Sequence, residues 1–220
     1  MRKFTTVIGI VIIISFAFIQ CNQRQSSKSS SSSNEVPVAT AHAWQDSLSK
    51  SQFTIYQNFD GQYLILSDIE KKLTQSNQYL RLFLGRSGNE YRLISVVCQG
   101  VLTPGEFNND YSTLEFFNGS GWSNTEYDSL DLWLDNFKYS LPSASAVLPY
   151  AMIIPNEDLS GIEPYILNDK IYISFGLDGN TIEMLLGNED NTNVKLQSPN
   201  ERYFNNVIPC PTICGVNDPS

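Results

Sequence analysis

The chain has 220 residues, of which 41% are hydrophobic, and carries a formal net charge of −9. That length buries roughly 70% of the extended surface on folding, enough for one packed domain or two small ones without help from metal or disulfide. Fourteen Lys and Arg without clustering, against 23 Asp and Glu, repel phosphates and exclude nucleic-acid binding.

The first segment, MRKFTTVIGIVIIISFAFIQC, begins with Arg2 and Lys3, is apolar from Phe4 to Ile19 and ends at Cys21. This is the layout of a secretory signal. The apolar run falls short of the ~20 residues a permanent span needs. It resembles a bacterial lipoprotein signal, in which cleavage precedes a cysteine that then carries lipid, here Cys21, although Gln20 stands where such signals carry a small residue. Two alternatives stay open: ordinary signal peptidase acting after Ala17, or retention of the segment as an anchor. Residues 21–39 form a Ser-rich spacer with a typical reach of ~25 Å, which suits a tether between membrane and domain. Removal of residues 1–20 takes the formal charge from −9 to −11.

The remainder reads as one module used twice, over residues 40–126 and 127–220. Thr40 matches Ser129 as a helix N-cap, Trp44 matches Trp133, and Leu48 matches Phe137. The strand-like Tyr63-Leu64-Ile65 matches Met152-Ile153-Ile154, and Ser67, opening a capping box, matches Asn156. Then Leu80, Leu82 and Leu84 alternate toward a turn over Gly85–Asn89, as Ile171, Ile173 and Phe175 do toward Gly176–Asn180. The clearest helix carries Leu130, Trp133, Leu134, Phe137 and Leu141 on one stripe and ends at Pro142. The expected fold is therefore α+β: two tandem repeats of helix, strand, helix and β-hairpin, with the helices packed on an antiparallel or mixed sheet. A ligand groove is expected at the seam between the repeats.

The hairpin run YLRLFLGRSGNEYRLISVV, the capped helix before it and the tail Cys210-Pro211-Thr212-Ile213-Cys214 resemble an uncharacterised family of small Bacteroidota-type bacterial proteins and lipoproteins. That family combines a helix, an I-R-I-Y-x-G-like hairpin and a C-terminal C-P-P-x-C-like tail. Here the module occurs twice and Thr212 replaces the second tail proline. The resemblance implies a fold and a compartment, and no activity.

Chemistry has few carriers. Cys210 and Cys214 can close a small disulfide loop in an oxidising envelope, with reduced thiols or a redox or metal role as alternatives. Cys98, at the end of a strand, reads as a buried thiol. His42, the only histidine, lies in the first helical turn and reads as solvated helix surface, which deprives Ser-His-Asp or Cys-His catalysis of a base. The turns Phe59–Gln62 and Gly187–Asn193 read as ordinary Asn/Asp/Gly turn chemistry, with weak Ca²⁺ binding as the alternative, and match no EF-hand loop. No cofactor, metal or catalytic residue is expected. The linker from Tyr111 to Tyr127 carries Phe116, Phe117 and Trp122, candidates for a carbohydrate or protein contact surface, or else members of a strand completing the first module.

These features together predict a lipid-anchored protein of the bacterial envelope, outer-membrane or periplasmic in exposure, with a non-catalytic binding or structural role. The alternatives are a secreted hydrolase using paired carboxylates and an immunity-type lipoprotein with an acidic protein-binding face. The partners expected are the membrane, through the N-terminal lipid, and an unidentified protein or carbohydrate.

Overall fold

The computed structural model describes residues 35–75, 77–100, 108–142, 148–155, 159, 161–188, 200–205 and 208–210. Cys21, the tether through residue 34, Asn156 and Cys214 lie outside them. Alternating apolar residues drive the strands. In chain order these are β1 (Glu35–Val36), β2 (Tyr63–Ile65), β3 (Gln78–Ser87), β4 (Glu90–Gln99), β5 (Asn108–Phe117) and β6 (Trp122–Asn124), followed by β7 (Ala151–Pro155), β8 (Lys170–Asp178), β9 (Thr181–Gly187), β10 (Tyr203–Phe204) and β11 (Ile208–Cys210). The helices are α1 (Val38–Ser49), α2 (Leu66–Lys72) and α3 (Tyr127–Ser140), with a 3-10 helix at Thr54–Phe59. The protein is thus a mixed α+β fold with two antiparallel sheets.

One sheet runs β1-β10-β9-β8-β2 and the other β11-β7-β3-β4-β5-β6. Each contains a meander from one end of the chain, flanked by the two strands that bracket a helix from the other end. β1 and β2 bracket α1 and flank β8–β9–β10; β6 and β7 bracket α3 and flank β3–β4–β5. The strands of residues 40–126 and 127–220 are therefore interleaved.

Period-two alternation divides each hairpin between two cores. Leu80, Leu82, Leu84, Ile171, Ile173, Phe175, Met184 and Leu186 fill the central one, between the sheets. On the outer side, Phe83, Ile94, Val96 and Ile153 meet Leu130 and Leu134 of α3, while Leu185 and Tyr203 meet Ala41 and Trp44 of α1. Each helix also sends a residue of its C-terminal half, Leu48 or Phe137, into the central core, where both are fully buried. Fully buried Phe59 lies against Phe137 (5.5 Å between ring centroids) and Phe175 (6.0 Å), joining both halves of the chain.

The close approach of helix to sheet depends on two glycines. A Cβ on Gly85 of β3 would lie 3.2 Å from Trp133 Cβ on α3, and one on Gly176 of β8 would lie 2.6 Å from Trp44 Cβ on α1. The turns prove tighter than the five residues expected. Ser87 pairs with Glu90 and Asp178 with Thr181, leaving Gly88-Asn89 and Gly179-Asn180 as two-residue loops. Gly88 (φ 62°) and Gly179 (φ 60°) take the left-handed conformation that the first central position of a II′ hairpin requires.

The expected helix caps are corrected. Pro37 and Glu126 occupy the N-cap positions of α1 and α3, so Thr40 and Ser129 lie inside the helices. Ser67 is likewise inside α2, and its cap comes from a distant residue: Asp169 accepts from Ser67 N–H at 2.9 Å and from Ser67 Oγ–H at 2.6 Å, while its backbone carbonyl takes Leu66 N–H at 3.0 Å. Asp169 does this from a left-handed backbone (φ 61°), which Asp tolerates better than most side chains. Asp169→Ala is expected to destabilise the fold by about 1 kcal/mol, read as a lowered urea midpoint with an unchanged m-value.

Candidate functional site

The aromatic candidates of the linker belong to β5 and β6. The Phe116 ring is half-buried beside Trp133 (5.2 Å between centroids), and the Arg92 guanidinium lies 4.9 Å over it. Buried Phe117 packs edge-on against Tyr63 (4.9 Å) and Trp122 (5.9 Å). Trp122 donates its indole N–H to the Tyr63 carbonyl at 2.9 Å. Phe117 and Trp122 thus come together on Tyr63 and fasten the β5–β6 hairpin to β2 of the other sheet, while Phe116 fastens it to α3. The space beside Trp122, bounded by the Lys72–Glu115 ion pair (2.5 Å), holds about 20 Å³. That is room for a water molecule and not for an organic ligand.

Cys98 is fully buried on the α3 side of its sheet, its Sγ 3.6 Å from the Tyr79 carbonyl, as the reading of a buried thiol expects. Cys210 falls on β11, opposite Ala151.

A second group of side chains was not legible as a group. His42 is not solvated helix surface: its side chain is 23% exposed, and Nε2 donates to Glu201 Oε1 at 3.0 Å. Tyr203 donates its hydroxyl to the same oxygen at 2.7 Å, and its ring meets the imidazole edge-on at 5.8 Å. Gln45, one turn along α1 from His42, donates to Ser174 Oγ at 3.0 Å and to Tyr203 Oη at 3.5 Å. Glu201 is 3% exposed, and Oε2 has no hydrogen-bond partner among the described residues. Burial, reinforced by the hydrogen bond to Glu201, raises the Tyr203 phenol well above its usual range.

Asp60 adjoins this group. Backbone pairing along β8 continues past β2 through Gln62 and Gly61, where Ile173 donates to the Gln62 carbonyl and Gly61 to the Ile173 carbonyl. Asp60 Oδ1 then accepts the next outward N–H, that of Phe175, at 3.2 Å. Burial pushes the Asp60 carboxyl up to about 7, against the opposing pull of that hydrogen bond.

A histidine steered by a buried carboxylate is half of a general-base relay. The other half would be a hydroxyl or thiol held by the imidazole, and no hydrogen bond among the described residues supplies one; the Ser174 hydroxyl is engaged by Gln45. The bonds of His42 and Gln45 tie α1 to the sheet beneath it. Among the described residues no set of three or more His, Cys, Asp and Glu side chains is placed to hold a metal ion, and no helix is long and apolar enough to cross a membrane.

A larger opening than the space beside Trp122 lies elsewhere. An open cleft of about 540 Å³ is lined by Gln52, Thr54, Gln57, Asn58 and Tyr91 from the first half of the chain and by Ser140 and Pro142 from the second. It falls where the expected repeats adjoin, and no charged residue is among the described residues that line it.

No protein-family model, curated protein or solved structure matches this chain.

Proposed function

We propose that this protein is a lipid-anchored component of the bacterial envelope that acts by binding rather than by catalysis, through a domain built by internal duplication. The observation that carries the non-catalytic reading is the fate of the clustered imidazole, carboxylate and phenol of His42, Glu201 and Tyr203. Tyr203 is fully buried, Glu201 is 3% exposed and His42 is tied to Glu201, so this carboxylate, phenol and imidazole are spent on seating α1. A hydrolase needs such groups where a substrate can reach them. A binding module needs an accessible concave surface, and the cleft between Gln52 and Pro142 is of the size that small ligands occupy.

Two features support duplication. Apart from β11 at one edge, the strand order is the same in both sheets once β1, β2, β8, β9 and β10 are matched to β6, β7, β3, β4 and β5. The glycine–tryptophan contacts are reciprocal: Gly85 of the first repeat meets Trp133 of the second, and Gly176 of the second meets Trp44 of the first. In this reading the repeats begin at β1 and at β6 rather than at residues 40 and 127, and they exchange their βαβ arms across a pseudo-twofold axis, as swapped protomers of a dimer do.

The anchor is tested by a non-reducing intact mass of the mature protein extracted from its native membrane fraction. The expected mass is that of a chain beginning at Cys21 with acyl groups, less two protons for a Cys210–Cys214 disulfide. A chain beginning at Phe18 without lipid would overturn the anchor and strengthen the alternative of a secreted hydrolase.

A further inference from the structure

The outer face of α3 breaks the rule that governs the rest of the helix. At about 100° per residue, Leu130, Leu134 and Phe137 define the buried side, and all three are fully buried. The positions farthest from them are Leu132 and Tyr139, seven residues apart on one stripe, with 60% and 86% of their surfaces exposed. An amphipathic helix ordinarily carries polar residues there. Along one flank of the stripe stand Asp128, Asp131 and Asp135, and Lys138 is the basic residue of the last turn, 4.0 Å from Asp135.

The rest of the chain supplies an internal control. At the expected offset of 89 residues, Leu132 and Tyr139 correspond to Ala43 of α1 and to Lys50 at its C-cap, and Asp128, Asp131 and Asp135 to Ala39, His42 and Asp46. The core-facing positions keep their character, with Leu48 matched to Phe137 and Trp44 to Trp133. The solvent face does not. The apolar stripe and two of its three acids are present on α3 alone, where the packing of helix on sheet does not call for them.

We propose that this face of α3 docks a basic, apolar protein segment, of the kind a cationic amphipathic helix presents. The inference rests on the binding reading above and names a partner class for it. Leu132 and Tyr139 provide a pair of apolar anchors, and the three aspartates select positive charge beside them. The same charges argue against the other occupants. A second copy meeting this face with its α3 antiparallel across a twofold axis would set aspartates against aspartates, and an anionic membrane surface would be repelled.

The test uses the full mature chain with two short amphipathic peptides of identical apolar face, one Leu/Lys and one Leu/Glu, read by fluorescence anisotropy and backbone amide shifts. The expected result is saturable binding of the Leu/Lys peptide alone, with shifts centred on α3. Leu132→Ser/Tyr139→Ser should weaken it about tenfold, while Ala43→Ser/Lys50→Ser on α1 should leave it unchanged. All four positions are exposed, so an unchanged circular dichroism spectrum is expected to confirm folding of both variants. Equal binding of both peptides, no saturable binding, or an undiminished affinity in the α3 variant would overturn the proposal. So would a dimer of the chain abolished by the α3 substitutions. Shifts centred on the Gln52–Pro142 cleft would overturn the α3 assignment and leave the binding reading standing, whereas the anchor stands or falls separately on the mass measurement.

Discussion

Gly176→Ala is expected to destabilise the protein by about 2–3 kcal/mol, and Gly85→Ala by about 1 kcal/mol or less, although the two glycines occupy matching places in the two hairpins. The difference lies in what the new methyl group would strike. At Gly176 it would lie 2.6 Å from Trp44 Cβ, 3.2 Å from the Trp44 carbonyl carbon and 3.4 Å from Gln45 N, all rooted in the backbone of α1. The whole helix would have to lift off its sheet, straining the bonds of Gln45 to Ser174 and of His42 to Glu201. At Gly85 the contact at 2.6 Å is with Ile94 Cδ1, the free end of a side chain that can change rotamer, and Trp133 Cβ is more distant at 3.2 Å. Neither glycine has a positive φ, so the loss of strand-interior glycine flexibility offsets part of the penalty at both positions. For a chain of this size the Gly176 variant should melt roughly 5–10 °C lower. Equal losses of midpoint in urea for the two variants would show that the helix does not rest on Gly176 as described.

The second large effect is a pH dependence of stability centred on Asp60. Its folded carboxyl titrates at about 7 because burial disfavours the charge, whereas the ordinary value is 3.8. A carboxyl raised in this way contributes stability that is complete below pH 4, declines as pH rises from about 4 to about 7, and is absent above. The unfolded chain gives up this proton first, and the folded chain must then hold a buried charge. A gap of about three pKa units corresponds to as much as ~4 kcal/mol at 1.36 kcal/mol per unit. Asp60→Asn keeps an oxygen to accept the Phe175 N–H and removes the titration. The variant should match the parent at pH 4 and exceed it at pH 8. Superimposable stability curves for variant and parent across that range would assign the titration to another group.

Local patterns in the sequence determined a large part of this architecture. Strict alternation marked both hairpins, because a strand with one face on the central core and the other under a helix must change side at every residue. Gly88-Asn89 and Gly179-Asn180 announced the turns through backbone conformations that few other residues tolerate. The stripe of Leu130, Leu134 and Phe137 announced α3, since a 3.6-residue period admits one buried face. Of the short matches, Leu48 and Phe137 both lie in the central core, and Trp44 and Trp133 each approach a strand glycine.

What remained was decided by contacts between residues far apart in the chain. Thr40, Ser129 and Ser67 have the chemistry of caps, yet α1 and α3 begin earlier, closely following β1 and β6, and Asp169 caps α2 from 102 residues away. The aromatic linker could be read as a displayed surface until Tyr63, Trp133 and Arg92 were seen to engage Phe116, Phe117 and Trp122. His42 had no visible partner because Glu201 is 159 residues distant, and proximity in space leaves no trace in local periodicity. The exchange of strands between the halves was equally invisible. A strand records which of its faces is buried, but the edge with which it pairs is chosen by backbone hydrogen bonds that any side chain permits.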